Sequence, residues 1–400
     1  MSGKSLWLRK AGAWVNADPS ERVSGAWVDQ GVFERVDGVW TGGGTSSGGG
    51  GGGGGSLWST IYQGYNVEST TELAARQAFF LPNAVNPHFS RIYLASTTLP
   101  SSATAFQPGG SIYVLAPTKR VEICHNRNPQ SVNAGTYDAE YDAFFAAVPS
   151  DWKVFLTLDH EFTRYITGAD GGAGNSGFGA GPYAASDFKN AFIRINNRLV
   201  ASGVTDGRIR QMMNGNGPYG SSFTTNCAPP ASSMAQGLAI LTTDIYNNPA
   251  GKPTGYKAYG TTYATGTAMF DSFYSIVQSL GYDQPAYGWG IGEHNAPQRI
   301  GTDTTLDANG YGPLSPNDID GSQRAAALKD AMDTLASYPR KPTIVLQWGM
   351  RAGNQWNQKY NNAGDSAYPA PPNTSQITSW PFDVDDTNVR TMLNTYLGAT

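Results

Sequence analysis

The chain has 400 residues, 40% of them hydrophobic and 14% charged, which predicts a soluble globular protein of about two domains. A formal net charge of −4 gives no general attraction to phosphate backbones or anionic surfaces, so we expect no nucleic-acid partner. The sequence begins without an apolar signal-peptide core and contains no run long enough to span a bilayer, so we expect neither a signal peptide nor membrane insertion.

A short repeat occupies the start of the chain. Gly-Ala-Trp-Val at 12–15 recurs at 25–28, and Gly-Val-Trp-Thr follows at 38–41, at a constant spacing. Each unit combines a glycine-containing turn with a tryptophan and small or β-branched residues, which predicts short strands joined by tight turns. Three such units are too small to bury much surface alone, so residues 1–41 are interpreted as a β-rich docking module.

A glycine-rich segment follows at residues 42–56. It includes an unbroken run of glycine from Gly48 to Gly55. No packed element tolerates that much backbone entropy, so the segment is predicted to be a flexible tether. It separates the docking module from a second domain at residues 57–400.

The second domain alternates short apolar strands with helical patterns. Eight strands are predicted, at Thr60–Tyr65, Arg91–Ala95, Arg120–Cys124, Val154–Leu158, Ile209–Met213, Leu238–Thr243, Ala286–Ile291 and Thr343–Gln347. Helices are predicted after the capping pair Ser186-Asp187, after Ser322, and at Thr70–Phe80, Asp138–Ala147, Met269–Leu280 and Asn388–Leu397. Eight strands alternating with helices over this length predict an α/β fold, a (β/α)8 TIM barrel.

Two glutamates follow predicted strands of this barrel. Glu161 comes after the fourth strand, directly behind His160, and Glu293 comes after the seventh. Function in such barrels gathers at the C-terminal ends of the strands, and two carboxylates facing one cavity are what glycosidic cleavage requires. From the pattern alone, a solvated or salt-bridged role for each glutamate is about as good an interpretation.

The barrel resembles glycoside hydrolases of clan A, and within that clan family 26. The likeness rests on His160-Glu161 after strand four, Glu293 after strand seven, the segment from Asp244 through Tyr246 to Asn247 after strand six, and Trp348 after strand eight. The resemblance implies that Glu161 is the acid/base and Glu293 the nucleophile of a retaining endo-β-glycanase. It further implies that His160, Asp244, Tyr246 and Trp348 contact the sugar. The chain departs from the family at Phe162–Tyr165 and in the glycine-rich loop 168–181, which leaves substrate choice open.

Other polar residues at strand ends are candidates for binding sugar hydroxyls. They are Tyr65 after the first strand, His125, Asn126 and Arg127 after the third, and Asn214 and Asn216 after the fifth. His125 is equally well explained as a hydrogen-bonded residue at the edge of the core, and the two asparagines as turn residues. The four histidines are scattered and the cysteines, Cys124 and Cys227, lie far apart, so we expect no metal site, disulfide framework or cofactor.

The tryptophan repeat and its tether resemble the start of minor tail proteins of siphophages that infect actinobacteria. This resemblance implies a virion protein at the tail tip, with residues 1–41 bound to other tail proteins and the barrel directed at a host cell-envelope polysaccharide. A homotrimer is compatible with that position. Two alternatives remain open: a tail protein that binds its glycan receptor without cutting it, and a bacterial β-glycanase.

Overall fold

The computed structural model describes two compact units, Met1–Gly54 and Gly55–Thr400. In the first unit it describes the backbone of four strands. In the second it describes residues 61–67, 70, 73, 89–94, 98–166, 183–216, 227–245, 263–294 and 322–347.

The first unit contains a four-stranded antiparallel sheet. Its strands are β1 (Trp7–Lys10), β2 (Ala13–Asn16), β3 (Val32–Val36) and β4 (Val39–Gly43), in the spatial order β2-β1-β3-β4. Two repeat units therefore form the second strand of a hairpin, with Trp14 paired to Arg9 and Trp40 paired to Arg35. The remaining repeat unit, around Trp27, lies outside the described residues.

The second unit is built on a closed barrel of eight parallel strands. The strands are β5 (Tyr62–Asn66), β6 (Phe89–Tyr93), β7 (Arg120–His125), β8 (Lys153–Leu158), β9 (Ile209–Asn216), β10 (Ala239–Ile245), β11 (Gly288–His294) and β12 (Ile344–Gln347). Each strand pairs with the next, and β12 pairs with β5 to close the ring. The predicted fold and all eight strands are confirmed, with ends that differ by a few residues.

Helices cover the outside of the barrel. They are α1 (Pro129–Asn133), α2 (Asp138–Ala147), α3 (Ala185–Ala201), α4 (Gly266–Leu280) and α5 (Ser322–Ser337). The start predicted for α3 was wrong: the helix begins at Ala185, ahead of Ser186-Asp187. Asp187 instead lies in the first turn and accepts a hydrogen bond from the backbone N–H of Ala184, which satisfies a donor that the helix leaves open.

The region after β6 lacks the regular helix of a (β/α)8 unit within residues 98–119. A short 3-10 helix, Ala103–Phe106, and a series of turns take its place. Of the predicted helix at Thr70–Phe80, only Thr70 and Leu73 are described, both helical, and Asn388–Leu397 lies outside the described residues. No helix in the described ranges is both long and apolar enough to cross a bilayer.

Aromatic and aliphatic side chains fill the lower part of the barrel. The rings of Phe89 and Phe155 are 5.9 Å apart and those of Tyr62 and Phe155 are 5.3 Å apart, although these residues lie on strands that are not neighbours. Such contacts are made only across the interior, where Met212, Ile240, Ile344 and Leu346 join the same cluster. The alternate residues of β6 to β12 pack outward against the helices, so these strands are buried on both faces.

Candidate functional site

Above the apolar layer, the barrel interior becomes polar. Two residues further along β6 from Phe89 lies Arg91, and two residues along β8 from Phe155 lies Thr157, both fully buried. The same two-residue step leads from Met212 to Asn214 on β9 and from Ile240 to Thr242 on β10. Because alternate residues of a strand share a face, the sequences of these four strands place apolar side chains at the bottom and polar ones towards the C-terminal end.

Arg91 is the centre of this polar layer. Its Nε donates to Glu122 Oε2 at 2.6 Å, and its Nη1 donates to Glu293 Oε1 at 2.8 Å. Both ion pairs are buried, with side-chain exposures of 0% for Arg91 and Glu122 and 3% for Glu293. A guanidinium held between two carboxylates is stabilised by both, which outweighs its burial and keeps the pKa of Arg91 well above the ordinary value.

His160 and Asp244 complete the cluster at the mouth. The Nε2 atom of His160 lies 3.0 Å from Asp244 Oδ2 and 2.9 Å from Arg91 Nη1, and Asn214 Nδ2 donates to Asp244 Oδ1 at 2.9 Å. Burial opposes the charged ring, but Asp244 outweighs it and the pKa of His160 is raised. Burial likewise raises the pKa of Asp244 to about 7. When the ring is protonated, His160 Nε2 donates to Asp244 Oδ2.

Glu161 lies beside this cluster on a strained turn. Its backbone has a φ of 56°, and Asp159 two residues earlier has a φ of 48°, a left-handed conformation that non-glycine residues seldom adopt. Asn216 Nδ2, from the end of β9, donates to Glu161 Oε1 at 2.8 Å, and the backbone N–H of Asn216 donates to Thr163. The end of β9 therefore holds the turn. Backbone strain kept in place by neighbouring contacts is frequent at functional sites.

The structure brings Glu293, His160 and Asp244 together: one ligand-type atom from each lies within 4.8 Å of the others. Such a trio could in principle hold a cation. The guanidinium of Arg91, bonded to Glu293 and lying against His160, already supplies positive charge there, so the donor set does not fit a metal ion.

Two other predicted site residues, His125 and Arg127, lie away from this cluster. His125 faces the helix layer, where its ring nitrogens lie 2.9 Å from the carbonyl oxygen of Thr157 and 3.0 Å from the hydroxyl of Tyr141. Of the two interpretations that the sequence allowed for His125, these contacts fit the hydrogen-bonded residue at the edge of the core. Arg127 is bound to Glu140 and to the carbonyl of its neighbour Asn126. Tyr246 and Trp348 lie outside the described residues, and of Tyr65 only the backbone, on β5, is described.

Sequence reasoning missed Arg91, Glu122 and Tyr93. The hydroxyl of Tyr93 lies 3.4 Å from His160 Nε2, and the two rings meet edge to face. The available signal was a lone charge inside an apolar parallel strand, as in Ser-Arg-Ile at 90–92 and Val-Glu-Ile at 121–123. A charge at such a position is buried and needs a partner, so the two strands could have been paired through it.

No protein-family model matches the chain, and no curated protein matches it. Solved structures similar to it include a GH5-4 broad-specificity endoglucanase from Ruminococcus champanellensis, at 10% identity and a TM-score of 0.45 over 84% of this chain and 96% of that one. Another is an endo-1,4-β-D-xylanase with CBM22-1 and GH10 modules from Clostridium thermocellum, at 12% identity and a TM-score of 0.44 over 98% and 83%.

A third is an endo-β-mannanase/endo-β-glucanase from Prevotella bryantii, at 11% identity and a TM-score of 0.42 over 85% of this chain and 50% of that one. All three are glycoside hydrolases. At these values the similarity carries no information about activity, which has to be argued from the residues of the site.

Proposed function

We propose that the barrel hydrolyses glycosidic bonds by double displacement, with Glu161 as acid/base and Glu293 as nucleophile. The observation that carries the proposal is the buried cluster in which Glu293, bound to Arg91, lies beside the His160 that directly precedes Glu161. Strands β8 and β11 thus deliver one carboxyl each to the same end of a closed barrel.

The surroundings of the two carboxyls suit different roles. Glu293 is bonded to a guanidinium, which favours its ionised form, and the ionised carboxylate is the form that can attack the anomeric carbon. Glu161 accepts a hydrogen bond from a neutral amide, that of Asn216, which suits a group that alternates between acid and base. Different environments around two carboxyls are the usual means of dividing acid and nucleophile roles.

The reaction follows from these roles. Glu161 protonates the glycosidic oxygen as Glu293 bonds to the anomeric carbon, and the leaving sugar departs with that proton. Glu161, now ionised, removes a proton from water, whose oxygen displaces Glu293 and releases the sugar with its anomeric configuration retained. This mechanism expects a separation between the two carboxyl groups of about 5–5.5 Å.

The first prediction tests this assignment on the full chain. We expect new reducing ends from a panel of β-glucan, β-mannan, xylan and purified bacterial envelope polysaccharide, with retention followed by NMR of the first product formed. Glu161→Gln and Glu293→Gln should each reduce the rate on the order of a thousandfold, because each removes one half of the reaction. Asp138→Asn, in an ion pair with Arg194 between α2 and α3, is the control and should retain activity.

Full activity in either glutamine variant would refute the assigned chemistry. Inverted products would refute Glu293 as a nucleophile while leaving hydrolysis intact.

The substrate that we propose is a host cell-envelope polysaccharide, met by a phage tail-tip protein whose residues 1–41 bind other tail proteins. The tryptophan repeat and the polyglycine run support this role, since a small β-unit on a long tether suits docking more than catalysis. Antibody labelling of purified virions tests it: label at the tail tip is expected. Absence of the chain from virions would favour a bacterial β-glycanase.

A second candidate function is glycan binding without cleavage. It is favoured by the low exposure of both carboxyls, 8% for Glu161 and 2% for Glu293. A binding module would retain polysaccharide in a pull-down and release no reducing ends, and its two glutamine variants would bind with little change.

A further inference from the structure

Glu122 is a carboxylate buried in the barrel interior below the proposed nucleophile. It lies on β7, is completely covered, and accepts three hydrogen bonds. Oε2 accepts from Arg91 Nε at 2.6 Å, while Oε1 accepts from Thr157 Oγ1 at 2.8 Å and from the Cys124 thiol at 3.3 Å. All three partners donate, so the site is built for the ionised carboxylate, which can only accept.

We propose that Glu122 is a positioning residue that fixes and partly neutralises Arg91, and through Arg91 sets the reactivity of Glu293. The inference rests on the proposed function, because it assigns a role relative to the nucleophile of that reaction. Glu122 itself is too deep in the barrel to touch substrate.

The geometric part of the argument is the rigidity of the guanidinium. Its nitrogens are coplanar, so a bond that fixes Nε also fixes the direction of Nη1. Glu122 is held from β7 and β8 and grips Nε, which aims Nη1 at Glu293 Oε1, 2.8 Å away on β11. Arg91 thus ties the third strand of the barrel to the seventh across the interior.

The electrostatic part concerns how one positive charge is divided. The groups around Arg91 are Glu122 and Cys124 on β7, Tyr93 on β6, Glu293 on β11, Asp244 on β10 and His160 after β8. With Glu122 ionised, much of the guanidinium charge is already compensated. Glu293 is therefore held in place by a strong hydrogen bond without the full field of an unshared cation, which would stabilise its anion and weaken it as a nucleophile.

The second prediction is the test of this role, with Glu122→Gln in the full chain. Glutamine keeps the size of the side chain and removes its charge. We expect kcat on the hydrolysed polysaccharide to fall at least about tenfold and the acid limb of kcat/KM to move to lower pH by about one unit. Glu122→Asp keeps the charge but shortens the arm, so kcat should fall with the acid limb near its original position.

A purely structural role predicts a different result. Both variants would then melt at lower temperature while the acid limb of the pH profile stayed in place, and an unmoved limb in Glu122→Gln would overturn the proposal. Asp138→Asn, which removes a carboxylate from an arginine outside the barrel, controls for the loss of an ion pair. It should change neither kcat nor the position of the acid limb.

If Glu122→Gln does not fold, the double variant Arg91→Met with Glu122→Leu removes both charges, which buried pairs often tolerate. The acid limb should then move to higher pH, because Glu293 has lost its cation. An unchanged limb would overturn the proposal.

A titration without substrate separates this inference from the proposed function. The chain has only eight glutamates, so the carboxyl-¹³C signal of Glu293 can be assigned by its loss in Glu293→Gln. The signal should titrate at lower pH in Glu122→Gln than in the unsubstituted protein. If the protein is inactive but the shift occurs, hydrolysis is refuted and the link through Arg91 is supported. If the protein is active but the shift does not occur, hydrolysis is supported and the link through Arg91 is refuted.

Discussion

At the scale of single residues, buried ionisable groups divide into two kinds. Arg91 forms buried ion pairs with Glu122 and Glu293, although its Nη2 atom has no hydrogen-bond partner among the described residues. Asp159 and His294 are buried in surroundings that favour the neutral form, so burial raises the pKa of Asp159 to about 8 and lowers that of His294 to about 3. For Arg91, the ion pairs offset the free-energy cost of burying its charge. For Asp159 and His294, the shifted pKa values make the free energy of unfolding depend on pH.

The third prediction concerns His294, whose ring packs edge to face against Phe270 of α4 and whose nitrogens have no hydrogen-bond partner in the described part of the chain. Its pKa is lowered by burial to about 3, from an ordinary value of 6.5. Its neutral form therefore favours the folded state above pH 6.5, and that contribution is lost as pH falls towards 3. The loss amounts to about 1.4 kcal/mol per pH unit.

His294→Leu keeps an apolar side chain of similar size and has no proton to gain. Between pH 6 and 4, urea unfolding should therefore give a shallower decline of the free energy of unfolding for this variant than for the unsubstituted protein. His125, whose pKa is also lowered to about 3 by burial, continues to contribute in both proteins. Parallel curves for the two proteins would contradict the prediction.

At the scale of elements, an irregularity in β11 places the proposed nucleophile. Trp289 and Ile291 pack outward in the layer between barrel and helices, and strict alternation would make Glu293 point outward as well. The register with β10 shifts at this point: Thr243 pairs with Ile291, but Asp244 pairs with Glu293. The skipped residue, Gly292, forms a bulge that turns Glu293 to the interior.

The fourth prediction follows from the crowding at that bulge. A methyl group on Gly292 would lie 1.9 Å from Asn214 Oδ1 and 2.4 Å from Asp244 Oδ1, so Gly292→Ala must displace the pair that holds His160. We expect the free energy of unfolding to fall by about 1–3 kcal/mol. We also expect activity to fall by more than this loss of stability would explain, because the displaced residues belong to the site. Both are measurable by denaturation and by the reducing-end assay.

Gly288→Ala, at the start of the same strand, is the comparison. Its methyl would meet mainly the ends of side chains, Thr343 Oγ1 at 2.7 Å and Arg210 Nη2 at 2.9 Å, which can move. It should cost stability without a matching loss of activity. Equal activity losses at the two positions would indicate that Gly292 has no special relation to the site.

At the scale of the whole molecule, the two compact units differ in kind. The first contains a small antiparallel sheet, and every group of the proposed site lies in the second. The fifth prediction is that deleting residues 1–54 leaves kcat/KM on a soluble polysaccharide within about twofold of the full chain, since no site residue is removed. Catalysis lost from a truncated protein that still melts cooperatively would show that the first unit contributes to the site.

Much of the fold was accessible from the sequence, because parallel strands buried on both faces leave continuous apolar runs and helices leave a periodic stripe. Val154–Leu158 and Phe188 to Leu199 are examples, and both elements were found where expected. The start of α3 was missed because its first turn is capped from inside, by Asp187, rather than by a residue ahead of the helix.

The site was accessible only in part. Glu161, Glu293, His160 and Asp244 follow or end strands and could be singled out by position. Arg91 and Glu122 each show in the sequence as a lone charge in an apolar strand, and they face each other on the neighbouring strands β6 and β7. No local pattern indicates that Arg91 also reaches Glu293 on β11, across the barrel interior.

The sequence by itself determined that this chain forms an eight-stranded parallel barrel after a tryptophan repeat and a run of glycines, since hydrophobic periodicity and repeats are properties of local sequence. Only the tertiary structure decided which polar residues meet. Which side chains meet at the mouth depends on closure of the barrel, and the direction of Glu293 depends on a one-residue register shift at Gly292. Neither feature can be predicted from a local sequence pattern. His125 and Glu293 illustrate the difference. Strand alternation directs His125 outward to the helix layer, and the bulge at Gly292 directs Glu293 inward to Arg91.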